Sequence, residues 1–138
     1  MTEPAGPPPI DPTVPPSGEG CAECTATDGW WFHLRRCATC GHVGCCDSSP
    51  SQHAKGHAQS TDHTIIASFE PGEEWFYDYA TDEAFAGPPL TPPTHHPTDQ
   101  PVPGPAGRVP RDWMQHLHLW RDERAAGRAR TRRASVRR

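Results

Sequence analysis

Three runs of sequence decide the fold of this chain: CAEC at 21–24, CATCGHVGC at 37–45 and HAKGHAQSTDH at 53–63. In a CxxC pair the intervening turn aims two thiolates at one metal ion, and a structural zinc site is closed by four cysteine or histidine ligands. The runs supply eight candidate ligands: Cys21, Cys24, Cys37, Cys40, Cys45, His53, His57 and His63. They predict two complete sites, and therefore two zinc ions as the cofactor.

The spacing leaves two ways of distributing these ligands. Sequential pairing gives one ion Cys21, Cys24, Cys37 and Cys40, and the other Cys45, His53, His57 and His63. Cross-braced pairing gives one ion Cys21, Cys24, Cys45 and His53, and the other Cys37, Cys40, His57 and His63. Because His53 and His57 lie one helical turn apart, they could share an ion or serve two neighbouring ions. The residues alone leave both pairings open.

The proline distribution explains why a metal staple is expected. Of the 18 prolines, seven lie before residue 17 and nine lie from Pro88 to Pro110, where they oppose helices and sheet ladders. The foldable centre is then roughly residues 20–87, and a core of that size rarely buries enough apolar surface to fold unaided. Bound zinc would supply the missing stabilisation.

The sequence also bears on compartment and on thiol chemistry. No run approaches the ~20 apolar residues of a membrane helix, and residues 1–20 have neither the basic nor the apolar region of a secretory signal. We therefore expect a cytoplasmic protein without a membrane partner, whose six cysteines stay reduced, with five of them binding metal and Cys46 as a buried free thiol. A thiol–disulfide enzyme is not expected, because each CxxC pair has further ligands beside it.

Apolar periodicity predicts the elements of the centre. Alternating side chains predict strands at 29–35, 64–70 and 75–79. A capping-box pattern with Ser49 as N-cap predicts a helix that ends near residue 60.

From Cys21 to Tyr79 the chain resembles the UBP-type zinc finger of ubiquitin-specific proteases and of a cytoplasmic histone deacetylase. The resemblance rests on CAEC, CATCGHVGC, HAKGHAQSTDH and an aromatic pair that begins twelve residues after His63. The wording GCCDSSPSQHA is closer to bacterial, stand-alone members. The resemblance implies the cross-braced pairing and a small zinc-stapled α+β fold, in which a short helix packs on a twisted antiparallel sheet.

The resemblance also implies a ligand cleft. In the family, an aromatic-walled pocket binds the free C-terminal Gly-Gly of ubiquitin, with help from an arginine. By position Trp75 and Tyr77 match the aromatic pair, and Trp31 is a further candidate for the cleft wall. Asp47 stands at the arginine position, and Arg35 stands where the family has a tryptophan. Because a carboxylate repels a peptide carboxylate, a protein or peptide C-terminus is the expected partner class, but ubiquitin itself is not expected.

The flanking sequence completes the predicted organisation. A disordered Pro-rich arm (1–19) precedes the zinc finger (20–87), and a Pro-rich linker (88–109), an amphipathic helix (110–126) and a basic tail (127–138) follow it. In the helix, Trp113, Leu117 and Trp120 would form one apolar stripe that docks back on the finger.

Charge is concentrated at the C-terminal end. Residues 121–138 carry eight arginines against Asp122 and Glu123, a net charge of +6, whereas the rest of the chain carries −10, which together give −4. Such an end is typical of nucleic-acid binding, and this is the alternative to a non-catalytic, protein-binding zinc module. The lack of aromatic residues among the arginines favours a solvated tail instead.

Overall fold

A computed structural model describes residues 9–118, which form a five-stranded antiparallel sheet with two short helices. The elements in chain order are α1 (Ala22–Thr27), β1 (Leu34–Cys37), β2 (Val43–Cys45), α2 (His53–Thr61), β3 (Ile65–Ser68), β4 (Trp75–Asp78) and β5 (Glu83–Ala86). The strand order is β2-β1-β3-β4-β5. The predicted α+β class and antiparallel sheet are therefore confirmed. No helix within residues 9–118 is both long and apolar enough to cross a membrane.

Two glycines shape the corner where the β1–β2 hairpin meets α2. Gly41 has a φ of +84°, and a Cβ there would lie 2.0 Å from the carbonyl oxygen of Pro15. Only glycine adopts this backbone conformation without strain. A Cβ on Gly44 would lie 2.7 Å from the backbone nitrogen of Ala54. These glycines let the hairpin, the N-terminal arm and the first turn of α2 come into close contact.

Helix α2 begins three residues later than the capping box predicts. Ser49 is buried, and its hydroxyl accepts a hydrogen bond from the Phe32 amide at 2.9 Å, so it does not cap the helix. The helix begins at His53, after Gln52 in the left-handed conformation. The preceding loop is thus held by the segment before β1 rather than by α2.

The two later strand predictions are confirmed, and the first one is wrong. Strands β3 and β4 lie within the predicted ranges 64–70 and 75–79. The prediction of a strand at 29–35 is wrong for most of its length, because β1 begins only at Leu34 and Trp31 instead pairs with Gly104 through two backbone hydrogen bonds of 2.8 and 3.0 Å. A distant segment of the chain therefore replaces the expected sheet neighbour.

The Pro-rich segments pack against the sheet, so residues 9–19 are not the disordered arm that the composition predicts, and the Pro-rich linker 88–109 also contacts β1. Arg36 in β1 is fully buried and donates to the carbonyl oxygens of Thr91, Pro93 and Val14 at 2.8, 2.9 and 2.5 Å. Proline-rich chain leaves many carbonyls without backbone donors, and a guanidinium supplies five N–H groups in a fixed fork. One side chain thus ties both Pro-rich segments to β1. Residues 1–8 lie outside the described part.

The C-terminal segment docks on the finger, but not as the predicted α-helix. Residues Trp113–His116 form a 3-10 turn, and Leu117 is extended. The next amide, that of His118, donates to the Ser48 carbonyl at 2.9 Å, and this contact draws the chain out of helical geometry. The Trp113 ring lies 5.8 Å from that of Phe32, centroid to centroid. Trp120, the rest of the predicted helix and the basic tail lie outside the described residues.

Candidate metal centres and aromatic cleft

The first cluster gathers Cys21, Cys24, Cys45 and His53. The Sγ atoms of the three cysteines lie 3.3, 3.3 and 3.5 Å from Nδ1 of His53, and the Sγ atoms of Cys24 and Cys45 are 3.9 Å apart. In a tetrahedral site with zinc–sulfur bonds of about 2.3 Å, two sulfurs are separated by about 3.8 Å. The four donor atoms therefore have the separation that one zinc ion requires.

Backbone contacts orient these ligands. Cys21 is the N-cap of α1, and its thiol accepts from the amide of Cys24 at 3.4 Å. Cys45 ends β2, and its sulfur accepts from the amide of His53 at 3.2 Å. Amide donors stabilise the thiolate form, as the groups around a metal's ligands commonly do. The short helix α1 was not predicted from the sequence. It forms at the first CxxC pair, whose two thiols belong to the first cluster.

The second cluster gathers Cys37, Cys40, His57 and His63, and its four donor atoms all lie within 4.8 Å of one another. Sγ of Cys37 is 3.7 Å from Nδ1 of His63, and Sγ of Cys40 is 3.3 Å from Nε2 of His57. Burial is the main cause that raises the pKa of Cys37 to about 11 and lowers the pKa of His57. A neutral imidazole is ready to bind a metal, whereas a buried thiolate requires the positive charge that zinc brings.

His42 supports the second cluster from outside. Its ring stacks on that of His57 at a centroid separation of 4.3 Å and an angle of 4°. Its Nε2 lies 2.9 Å from both carboxylate oxygens of Glu23 in α1. The helix of the first cluster is thus linked through His42 to an imidazole of the second.

The grouping follows the cross-braced alternative rather than the sequential one. Within residues 9–118, Cys21 and Cys24 are grouped with Cys45 and His53. Cys37 and Cys40 are grouped with His57 and His63. Cys46 belongs to neither group, and its sulfur instead lies 3.5 Å from Oγ of Ser49. Two sets of four donors, each sufficient for one structural zinc site, support two zinc ions.

A cleft of about 280 Å³ opens beside β4. Its wall contains Trp75 and Tyr77, which share one sheet face because they are two residues apart, together with Asp47, Arg35 and Tyr79. The Arg35 guanidinium lies over the Trp75 ring at 4.7 Å from its centroid. The cleft thus combines three partly exposed aromatic rings with one cationic and one anionic side chain.

In this cleft the carboxylate of Asp47 is hydrogen-bonded by Tyr79. The Tyr79 hydroxyl donates to Oδ1 of Asp47 at 3.0 Å. Burial, and then the nearby carboxylate, raise the pKa of Tyr79, so its phenol stays a neutral donor. Sequence analysis missed Tyr79, although its two-residue spacing from Tyr77 continues the pattern that selected Trp75 and Tyr77.

Trp31 does not line the cleft, which corrects its selection as a cleft residue. Its side chain is 4% exposed and packs in the core with Leu34, Val43 and Phe69. A Cβ on Gly20 would lie 2.6 Å from its ring, which shows how tightly that ring is covered. Trp30 and Trp31 are adjacent, and the sequence does not indicate which of the two rings is buried in the core.

A larger cavity, of about 310 Å³, lies where β3 and β4 meet the second Pro-rich segment. Its lining includes Phe76, Pro88, Pro89 and Leu90, together with Glu73 and Glu74. Phe76 and Leu90 belong to the second core cluster, with Ala38 and Ala67. This cavity reads as a gap at the edge of the core rather than as a built site.

Comparison with known proteins agrees with this geometry. A search of curated proteins gave no match. Among solved structures, a protein of Rhodopseudomonas palustris studied by solution NMR is 43% identical and has a TM-score of 0.52, and the match covers 66% of this chain and 85% of that one. A family model described as the zinc finger in ubiquitin hydrolases and other proteins matches residues 21–90. The chain therefore belongs to that zinc-finger family.

Proposed function

We propose that this protein is a non-catalytic, zinc-stapled module that binds a protein or peptide in the aromatic cleft. The proposed zinc ligands are Cys21, Cys24, Cys45 and His53 for one ion, and Cys37, Cys40, His57 and His63 for the other. Catalytic zinc keeps one position open for water or substrate, whereas four protein donors close a structural site. Reduced thiolate ligands suit a reducing compartment, so we place the protein in the cytoplasm.

The cleft is the observation that carries the binding proposal. Trp75, Tyr77 and Tyr79 remain partly exposed side by side, although sheet aromatics of this size normally bury their faces. Aromatic rings supply large contact area at little entropic cost, which is why they dominate the energetics of recognition sites. A peptide laid along β4 would cover these rings.

The test is a display library of short peptides, selected on the zinc-loaded chain and followed by NMR titration. We expect selected peptides to shift the resonances of Trp75 and Tyr77. Trp75→Ala should weaken binding by about 30-fold or more, as loss of a central aromatic anchor does. Val102→Ala, at an exposed apolar position away from the cleft, is the matched control. Peptides that bind Trp75→Ala as well as the unmodified chain would refute the cleft.

Ubiquitin binding depends on a positively charged group that can hold the C-terminal carboxylate of ubiquitin. The Tyr79 hydroxyl holds Asp47 in the cleft, so a negative charge stands where a peptide carboxylate would need a positive one. We expect calorimetry to detect no binding of free ubiquitin. Asp47→Arg should create measurable affinity for a free Gly-Gly carboxylate, and Asp99→Arg, with the same charge change outside the cleft, should not. Tight binding by the unmodified chain would instead assign the anchor role to Arg35.

A further inference from the structure

The described chain ends beside the cleft. The amide of His118 donates to the carbonyl of Ser48 at 2.9 Å, and its Nε2 lies 3.2 Å from the carbonyl oxygen of Pro50. Ser48 belongs to the cleft wall and is the neighbour of Asp47. The described chain therefore ends at the rim of the cleft, next to Asp47, the residue that precedes Ser48.

The carboxylate of Asp47 lacks an ion-pair partner among the described residues. Asp47 is exposed, and Oδ1 accepts the Tyr79 hydroxyl, but no ion pair among residues 9–118 involves Asp47. The Arg35 guanidinium lies over the Trp75 ring and makes no ion pair with Asp47. Residues 119–138 contain eight arginines, and the first of them, Arg121, follows His118 by three residues. A span of three residues reaches about 10 Å, which suffices to bring a guanidinium to the carboxylate of Asp47.

We propose that the cleft binds the chain's own arginine-rich segment, residues 119–138, and that Asp47 pairs with Arg121 or Arg124. This rests on the proposed function, since it assumes that the cleft receives peptide. The preferred ligand of the cleft is then a basic peptide rather than a free carboxylate. Because the segment is tethered at the rim, its effective concentration is in the millimolar range. An external peptide must compete with this segment for the cleft.

The first test uses the zinc-loaded full chain and NMR. Arg121→Gln with Arg124→Gln should shift the resonances of Asp47, Tyr79 and the Trp75 indole. Arg137→Gln with Arg138→Gln removes the same charge far from the rim, and it should leave those resonances in place. Asp47→Asn should reproduce the shifts, and adding it to the first pair should change little further, because both remove one interaction. Unmoved cleft resonances, or fully additive shifts, would overturn the proposal.

A second test separates this inference from the proposed function. A synthetic peptide of residues 119–138 should bind the variant with Arg121→Gln and Arg124→Gln about tenfold more tightly than the unmodified chain, because the internal competitor is weakened. Equal, cleft-directed binding to both chains would overturn internal docking and leave the peptide-binding function standing. If neither this peptide nor any library peptide perturbs the cleft, both proposals fail. Asp99→Asn is the control for loss of a carboxylate elsewhere.

Discussion

Cys45 and Cys46 are adjacent but have different surroundings. The thiol of Cys45 lies 3.5 Å from Nδ1 of His53 and accepts from the amide of that residue. The thiol of Cys46 is directed away, toward Ser49 and the wall of the cleft. A strand alternates its side chains, so a register shift of one residue would exchange the two roles. The pair therefore tests the ligand register directly.

Cys45→Ser should lose one zinc and destabilise the fold, because a serine hydroxyl is a poor zinc ligand and the donor set drops to three. Cys46→Ser, the matched control, should keep two zinc ions and change stability by about 1 kcal/mol or less. Elemental analysis and thermal unfolding of both variants provide the measurement. The reverse outcome would move the ligand register by one residue.

Glu70 is a buried carboxylate that no sequence motif marked. It is 6% exposed, accepts the amide of Leu34 at 2.7 Å and pairs with His96, itself 4% exposed. Burial acts to raise the pKa of Glu70, but the nearby His33 imidazole at 3.6 Å and the hydrogen bonds from His96 and Leu34 outweigh it, and the pKa lies below its ordinary value. The carboxylate thereby joins the second Pro-rich segment to the start of β1.

Because the pKa of Glu70 is lowered by folding, its carboxylate contributes stability that is complete above the unfolded-state pKa of about 4.3 and is lost as pH falls through the folded value. Glu70→Gln should therefore lower the unfolding free energy by on the order of 2 kcal/mol at pH 7. This difference should shrink as the pH falls below about 4. Glu74→Gln, at an exposed position, should have little effect. Denaturant unfolding with zinc content checked at each pH measures this, and a difference that grows on acidification would contradict it.

At the scale of elements, the sequence predicted the strands and ligand runs that depend on interactions between residues close together in the chain. Strand β4 was predicted because Trp75-Phe76-Tyr77 alternates, and the ligand runs were recognised by their spacing. Strand β5 was missed because Glu83–Ala86 is only four residues long, mostly exposed and without a clear alternation of apolar and polar side chains. The packing of the Pro-rich segments was missed because it depends on Arg36, whose partners lie up to 57 residues away in sequence. Hydrogen bonds between residues so far apart produce no periodic pattern in the sequence.

Arg36→Ala should destabilise the protein by about 3 kcal/mol, because it leaves buried carbonyls of both Pro-rich segments without donors. Arg35→Ala is the matched control on the neighbouring residue, whose side chain lies over Trp75 instead, and it should cost less than about 1 kcal/mol. Limited proteolysis should cut the Pro-rich segments of the Arg36 variant faster at unchanged zinc content. Equal stability of the two variants would show that Arg36 does not hold the segments.

At the scale of the whole molecule, the two zinc centres lie at different depths. Three ligands of the first cluster, Cys21, Cys24 and Cys45, are fully buried and belong to the same core as Trp31 and Phe69. In the second cluster Cys40 is exposed, and both histidines are half-buried. The first ion is thus part of the core, whereas the second joins the hairpin to α2 near the surface.

We expect a chelator to remove the two ions in sequence, the exposed one first. Each structural site contributes on the order of 10 kcal/mol of apparent binding free energy at neutral pH, which equals or exceeds the net stability of a small domain. Loss of the surface ion should therefore loosen the hairpin and α2, while the core around the buried ion persists. Loss of the buried ion should then unfold the whole domain, because its ligands are core residues. Released zinc can be followed with a colorimetric chelator while NMR reports on Trp31 and His57. Release in one phase, with both signals lost together, would show that the His42 contact between α1 and the second cluster makes the centres a single cooperative unit.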